Sequence, residues 1–385
     1  MNRRKIVIVG GGAAGFAAAI TAARQGCDVQ VIEAAERVGN SIKVTGDGRC
    51  NIANSHTAAD LYWNGSFVER AFSQVSPQDA LSFLGSCGLM LREEAQGRLY
   101  PLANKSTSVI DALRLSAERE GVREVCGKHA VSLRPKAGAW LLRTEDGESR
   151  TFDAVVAACG GTRLPEGFLP DGIQAFPQRP LLGPIKTSTQ PLKGLDKVRA
   201  KCSVSVGDRT EDGEVTFRSY GISGIAAFNM TRFARKGDAI RLDFLSHMPR
   251  EASLLLLEQR MAALDPCDWL QLTCGMLLPL VARAVLRQAG LAPDSRPRPC
   301  DLAVFDRALR GFELEYLGIG DQKLCQVHRG GVRVSQVDPS SMALIGYPGL
   351  HCVGEMLDVD GPCGGYNLHW AWVSGIIAGK AVAHD

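Results

Sequence analysis

Residues 5–15 read Lys-Ile-Val-Ile-Val-Gly-Gly-Gly-Ala-Ala-Gly, and Glu33 follows 18 residues after the last of those glycines. The β-branched run from Ile6 to Val9 predicts a strand buried on both faces in a parallel sheet. Gly10, Gly12 and Gly15 then carry the spacing G-x-G-x-x-G. The first permits a tight turn, the second a close approach of backbone to a pyrophosphate, the third tight packing of helix on strand. The helix start adds unpaired N–H groups and a partial positive charge. A second strand, Asp28 to Ile32, closes on Glu33, whose carboxylate suits ribose hydroxyls and repels a 2′-phosphate. The turn therefore predicts FAD or NAD, not NADP. Alone, the glycine spacing is a weak signal in a chain with 42 glycines. Its context strengthens it: a strand precedes it, an Ala-rich helix (Phe16 to Arg24) follows, and Gly26 is placed to end that helix.

A chain of 385 residues holds two or three domains. Its net charge of +3 gives no bulk electrostatic case for nucleic acid as a partner. The arginines between 283 and 310 alternate with Asp294, Asp301 and Asp306 and read as a solvated surface. None of the 12 cysteines forms a C-x-x-C pair or a zinc spacing. They read as reduced thiols of a cytoplasmic protein, with no metal site. The apolar N-terminal stretch is too short and too glycine-rich for a signal peptide or membrane span.

Residues 34–58 are loop-rich, and 66–120 carry helical patterns broken near Tyr100-Pro101. Val122 to Leu133, Trp140 to Thr144 and Phe152 to Ala158 read as strands. Short alternating runs between 192 and 246 suggest an antiparallel sheet, and 250–315 read as helical. After Gly330-Gly331, Val332 to Val334 and Leu350 to Val353 read as strands, and a final helix begins near Tyr366. The fold class expected is α/β, with composition shifts near 185 and 330.

The segment from Gly354-Glu355 through Gly364-Gly365-Tyr366-Asn367-Leu368 decides between the two dinucleotides. It places an acidic side chain at a strand end and a glycine pair at a helix start, which suits the ribityl and ring portions of FAD. NAD needs no such return of the chain. Here the chain resembles the BaiN-like (YhiN-like) family of bacterial FAD-binding proteins, within the flavoproteins with two dinucleotide-binding domains. The resemblance rests on Gly46-Asp47-Gly48-Arg49-Cys50-Asn51, Tyr220-Gly221-Ile222-Ser223-Gly224, His328-Arg329-Gly330-Gly331-Val332, and the stretch from Gly354 to Trp372. It implies a discontinuous Rossmann-like FAD-binding domain at 1–188 and 331–385, an inserted β-barrel-like domain at 189–250 and 316–330, and a helical subdomain at 251–315. It further implies that Gly12, Ala14, Glu33 and Arg37 hold the ADP and pyrophosphate. Val131 would meet the adenine through its backbone, and Gly160 would lie near the diphosphate. Glu355 would take the ribityl, and Asn367 and Leu368 would face the ring. The chain departs from the family at Gly39-Asn40-Ser41, where two cations are lost, and at Pro362-Cys363.

The activities the resemblance implies include reduction of a conjugated C=C bond in 3-oxo bile-acid-type steroids and oxidation of small amino ketones. The reading taken is an FAD-dependent oxidoreductase, a reductase of an enone drawing on NADH or NADPH as a transient donor. No second G-x-G-x-x-G provides a separate nicotinamide domain. Alternatives are a flavin oxidase of small amines or amino ketones, and a flavin-binding redox sensor or RNA- or protein-interacting flavoprotein. Enone reduction needs a donor to the carbonyl and an acid for the α carbon. Tyr366, Tyr220, Arg49 and His56 are the candidates. The expected partner is a small molecule, with no nucleic acid or membrane, and the protein is expected as a monomer or homodimer.

Overall fold

The structure is a computed structural model and describes residues 3–161 and 167–384. The chain forms two compact units, one of Met1–Arg179 with Val327–Asp385, the other the uninterrupted stretch Pro180–Gln326.

The discontinuous unit is built on a five-stranded parallel sheet. Its order is Leu350–Cys352, Ala154–Ala157, Lys5–Val9, Asp28–Glu33, Arg123–Cys126. Ile6, Val7, Ile8, Val155 and Val156 are wholly buried, as branched side chains covered on both faces of a parallel sheet must be. Strands are added to one side of Lys5–Val9 and later to the other. Its carboxyl end is therefore a topological switch point, where open α/β sheets bind ligands. The glycine turn at Gly10 sits at that end.

The helix Ala13–Arg24 follows the turn and packs along the last helix, Tyr366–Ala381. The approach is close enough to demand glycine. A Cβ on Gly375 would stand 2.4 Å from the Ala14 carbonyl oxygen, and one on Gly379 would stand 2.6 Å from that of Ala18. Val373, Ile377 and Trp372 bury the rest of the last helix.

Several sequence expectations are corrected in this unit. Val332 to Val334 is not a strand of its own: Val332 ends the strand Val327–Val332, and Val334 opens a 3-10 turn, Val334–Gln336. Val122 to Leu133 is not one strand. Gly127, at φ +69°, turns the chain out of the parallel sheet. Its N–H donates to the Ala35 carbonyl, and that of Lys128 donates to the Glu33 carbonyl. Ala130–Lys136 then opens a three-stranded antiparallel sheet with Ala139–Thr144 and Ser149–Phe152. Phe152 accordingly belongs to that sheet and not to the strand Ala154–Ala157. Within 66–120, the helices Gly65–Phe72, Pro77–Ser86 and Ser106–Arg119 are joined by a hairpin, Leu91–Glu94 with Arg98–Pro101, to which Ala53–Asn54 adds a third strand. Strands of four residues are too short to show a period.

In the other unit six antiparallel strands close into a barrel: Ile185–Thr187, Gly221–Ser223, Arg209–Arg218, Arg199–Val206, Ala239–Asp243 and Phe312–Ile319. Val204, Val215, Phe217, Ile240, Leu242 and Leu314 are fully or almost fully buried. Buried and more exposed residues alternate along Ala239–Asp243 and the first half of Phe312–Ile319, the period of a sheet with one wet face. Between the last two strands in sequence lie the helices Arg250–Ala263, Trp269–Thr273, Pro279–Gln288 and Pro299–Arg310. The buried Asp306 accepts from Ser253 Oγ at 2.6 Å and faces the Arg310 guanidinium at 3.5 Å. Among the described residues no helix is long and apolar enough to cross a membrane.

Candidate functional site: an extended cradle for a dinucleotide

The first end of the site is local in sequence. Gly10 has φ +107°, and a Cβ there would stand 2.4 Å from the Ala158 carbonyl oxygen. A Cβ on Gly15 would stand 1.9 Å from the Gly10 oxygen, so strand and helix meet in van der Waals contact only because both are glycine. Gly12 caps the helix in extended conformation, and Ala14 lies buried beneath Gly354. The Glu33 carboxylate is pinned by two backbone donors: Gly11 N–H to Oε2 at 2.7 Å and Ala35 N–H to Oε1 at 2.8 Å. Each oxygen keeps a second lone pair for a hydroxyl donor. Arg37 is exposed and makes no ion pair among the described residues. Val131 sits where the register slips between Ala130 and Ser132, so its backbone stands outside the ladder.

The other end is assembled from distant segments. Gly160, at φ +74°, and Gly161 face Glu355; a Cβ on Gly161 would be 3.1 Å from that carboxylate. Glu355 Oε1 accepts from the His328 N–H at 2.5 Å, with His328 Nδ1 at 3.3 Å. Gly354 is held by Ser374 and Trp370 of the last helix at 3.0 and 3.2 Å. The loop beyond it hangs on a buried ion pair. Arg329 donates from Nε and Nη2 to Asp360 at 2.6 and 2.8 Å, and its guanidinium lies 4.5 Å from the Trp63 ring centre. Asp358 accepts from Trp63 Nε1 and from the Gly330 N–H, each at 3.1 Å.

That loop delivers Gly364 and Gly365, at φ +115° and +97°, to the start of the last helix. A Cβ on Gly365 would stand 2.2 Å from the Ala53 carbonyl oxygen and 2.8 Å from Asn51 Oδ1. The buried Asn54 donates to the Gly364 carbonyl at 2.9 Å. His369, wholly buried, takes the Thr57 hydroxyl on Nδ1 and meets the Pro77 carbonyl with Nε2, both at 2.9 Å. Burial pushes its pKa down, which keeps the ring neutral with Nε2 donating.

The predicted site residues fall into groups. Gly10, Gly12, Ala14, Gly15, Glu33 and Arg37 gather at one end, and Gly354, Glu355, Gly365 and Leu368 belong to the other. Asn367 stands on the last helix, but its amide braces the preceding loop: Oδ1 accepts from the Gly361 N–H at 2.8 Å, and Nδ2 donates to the Gly361 and Pro362 carbonyls. Tyr366 stands beside it, edge-on to Tyr62 at 6.4 Å. Arg49 stacks 4.2 Å over Tyr100 and gives its charge to Glu94 at 2.5 Å. His56 is exposed on a turn. Tyr220 belongs to the barrel unit, half-buried with Gly320 against its ring, and burial raises its phenol pKa. Every cysteine is a free thiol. Cys50, wholly buried, has its pKa pushed up to about 11 by burial, so it is no thiolate nucleophile at neutral pH.

Sequence reading missed Asn51, Asn54, Arg98, Arg329, Asp360 and His369. Asn51, Arg329, Asp360 and His369 lay inside the quoted motifs with no role assigned to them. His369 shows no signal, because a histidine in an apolar helix reads as core.

The residues present fit FAD. They offer a pinned carboxylate, an open helix start and a displaced strand backbone at one end. At the other end, Asn51 Oδ1 is a buried acceptor without a hydrogen-bond partner. The comparisons agree. The model of the HI0933-like protein Rossmann domain matches residues 4–381. The chain is 33% identical to the 3-dehydro-bile acid delta(4,6)-reductase of Clostridium scindens, covering 100% of this chain and 99% of that one. It is 26% identical to the ribosomal RNA dihydrouridine synthase of Escherichia coli, covering 97% of this chain and 96% of that one. Among solved structures, it is similar to the 3-ketosteroid delta1-dehydrogenase of Sterolibacterium denitrificans, with a TM-score of 0.52 at 12% identity and all of both chains covered. That likeness bears on the fold. With this cradle and these matches, the chain belongs to the HI0933-like family and is an FAD-dependent oxidoreductase.

Proposed function

We propose that the enzyme adds hydrogen across a C=C bond conjugated to a carbonyl, in a 3-oxo steroid, a bile acid or another small enone. One observation carries this. The two relatives just described, which share nearly their whole length with this chain, are named for reductions of that kind. A 3-oxo-4,6-diene and the uracil ring of uridine both present an alkene conjugated to a carbonyl. Bound FAD, once reduced, supplies a hydride. The chain's own task is to polarise the carbonyl and deliver a proton to the α carbon.

Tyr366, half-buried at the start of the last helix, is the acid in this reading. The cation is Arg98 in place of Arg49. Arg49 is tied down by Tyr100, by Asn104 and by Glu94, whose Oε1 it shares with Arg92. Arg98 lies beside Gly364, with its Cγ 3.9 Å from where a Cβ of that glycine would be. Its guanidinium donates to the neutral Gln96 side chain and makes no ion pair among the described residues. NADH or NADPH is the proposed electron source. The free cysteines fit a reducing, cytoplasmic setting.

The test is anaerobic. Holoenzyme reduced by dithionite is mixed with a 3-oxo-4-ene steroid, a 3-oxo-4,6-diene bile acid, a uridine-containing RNA, or air, and the visible flavin band is followed. Fast reoxidation by an enone that slows in Tyr366→Phe supports the proposal. Reoxidation by RNA alone sinks the small-molecule reading and favours RNA, the substrate named for the 26% identical relative. Reoxidation by air alone favours an oxidase.

A further inference from the structure

The hairpin Leu91–Glu94 with Arg98–Pro101 carries more positive charge than it neutralises. Arg92 stands opposite Tyr100, and Glu94 opposite Arg98, so these four side chains share one face of the hairpin. Arg49 lies over the Tyr100 ring and donates to Glu94 Oε1 at 2.5 Å, and Arg92 donates to the same oxygen at 2.8 Å. Arg98 gives its hydrogen bond to the neutral Gln96 instead. Three guanidiniums therefore face one carboxylate, and among the described residues no second carboxylate forms an ion pair with any of them. Glu93 belongs to the opposite face and accepts from Ser55 Oγ.

The cluster is both fixed and open. Arg49 Nε donates to Asn104 Oδ1 at 2.7 Å, which with Tyr100 and Glu94 sets its plane. Arg49 and Arg92 nonetheless keep 37% and 39% of their side-chain surface, so a ligand can reach them. Among the described residues, their hydrogen bonds engage Nε and Nη2 of Arg49 and Nη2 of Arg92. A guanidinium has five N–H donors in a planar fork, which matches the two oxygens of a carboxylate. We propose that Arg49 and Arg92 form a subsite for a carboxylate of the substrate, separate from the carbonyl that Arg98 polarises. The inference rests on the enone reading and narrows it to enones that are also acids. The subsite stands one strand repeat, about 7 Å, along the hairpin from Arg98. The carboxylate thus belongs to a part of the substrate remote from the reacting alkene.

The experiment uses the FAD-loaded protein and two pairs of probes. A saturated bile acid without a ketone and its methyl ester bind but cannot react. A 3-oxo-4-ene bile acid and its methyl ester report turnover. Binding is read from the perturbed flavin band. The wild type should hold the saturated acid at least about tenfold more tightly than its ester, and the preference should shrink as salt is raised. Arg92→Gln should bind acid and ester alike, with the ester affinity unchanged, and Arg92→Lys should recover part of the preference. Equal binding of acid and ester by the wild type overturns the proposal. So does a full preference surviving in Arg92→Gln, above all where that variant instead alters the choice between NADPH and NADH, which would assign the cations to a donor phosphate. If the acid preference holds but neither 4-ene reoxidises the reduced flavin, the enone reading falls and the carboxylate subsite stands. Should Arg92→Gln not fold, judged by thermal melting, the wild-type ratio, its salt dependence and Arg92→Lys still decide.

Discussion

The two ends of the cradle solve the same problem by different means. At Gly10–Glu33 the glycines and the carboxylate lie within 24 residues, and the carboxylate is already doubly bonded to backbone N–H groups. At Gly354–Gly365 the turn is held by partners far along the chain: Trp63 and Asn64 on Asp358, Arg329 on Asp360, Asn54 on Gly364. The first end is pre-formed by local geometry. The second is a product of tertiary structure, with one polar atom left over. Damage at the first should weaken cofactor binding with modest effect on folding. Damage at the second should reach stability first.

The largest effect is expected at the buried ion pair. Arg329→Met leaves Asp360 charged and 1% exposed, at a cost of about 3–5 kcal/mol. Urea unfolding measures it, and Arg329→Met with Asp360→Leu should recover much of the loss. A loss in the single variant below that of an ordinary surface substitution would break the contrast. Next comes Gly379→Leu, which drives a side chain into the Ala18 carbonyl; it should lower stability by roughly 1–3 kcal/mol and loosen FAD. Unchanged melting would mean the helices part freely. Glu33→Gln should cost about 1.5–3 kcal/mol in FAD affinity, since an amide is a weaker acceptor for ribose hydroxyls than a carboxylate. Its melting without flavin should fall less than that of Arg329→Met, because one of the backbone bonds from Gly11 and Ala35 is lost, and this is the sharpest check that the first end is separable.

The smallest effect concerns pH. Burial lowers the His369 pKa below the ordinary imidazole value of roughly 6.5. The unfolded chain therefore takes up a proton before the folded one does. The contribution of His369 is fully present above that value and is lost as pH falls from it toward the folded pKa. Its slope is at most about 1.4 kcal/mol per pH unit. His369→Gln should flatten the acid limb of stability against pH; an unaltered limb would show that His369 is solvated or charged in the folded state.

Legibility in the sequence followed the same divide. The first turn was readable because strand, glycines and acid occur in the order of their contacts, and Gly10 and Gly15 do stand where no side chain fits. Three barrel strands were visible as short alternating runs within 192–246, whereas Ile185–Thr187 and Gly221–Ser223 are too short to show a period and the start of Phe312–Ile319 fell in the stretch read as helical. The hairpin Leu91–Pro101 was hidden by its short strands. The break at Gly127 was hidden because strand-forming residues continue on both sides of it. Arg329 and Asp360 are 31 residues apart, and nothing in composition marks two charges as a buried pair. The orphaned oxygen of Asn51 could not be read at all, since solvent exclusion belongs to the fold.

The discontinuity of the first unit has a consequence during synthesis. Residues 180–326 are contiguous, so the barrel can close while the ribosome is still adding chain. The parallel sheet gains the strand Leu350–Cys352 late, and the helix that carries Gly365 later still. Until then the glycine turn near the N-terminus exists beside an incomplete sheet, with its apolar face open. Protease digestion of ribosome-arrested chains should find the barrel protected well before the segment 5–33. A segment made before the barrel would thus become native after it, and FAD could be gripped at both ends only after the helix Tyr366–Ala381 had emerged.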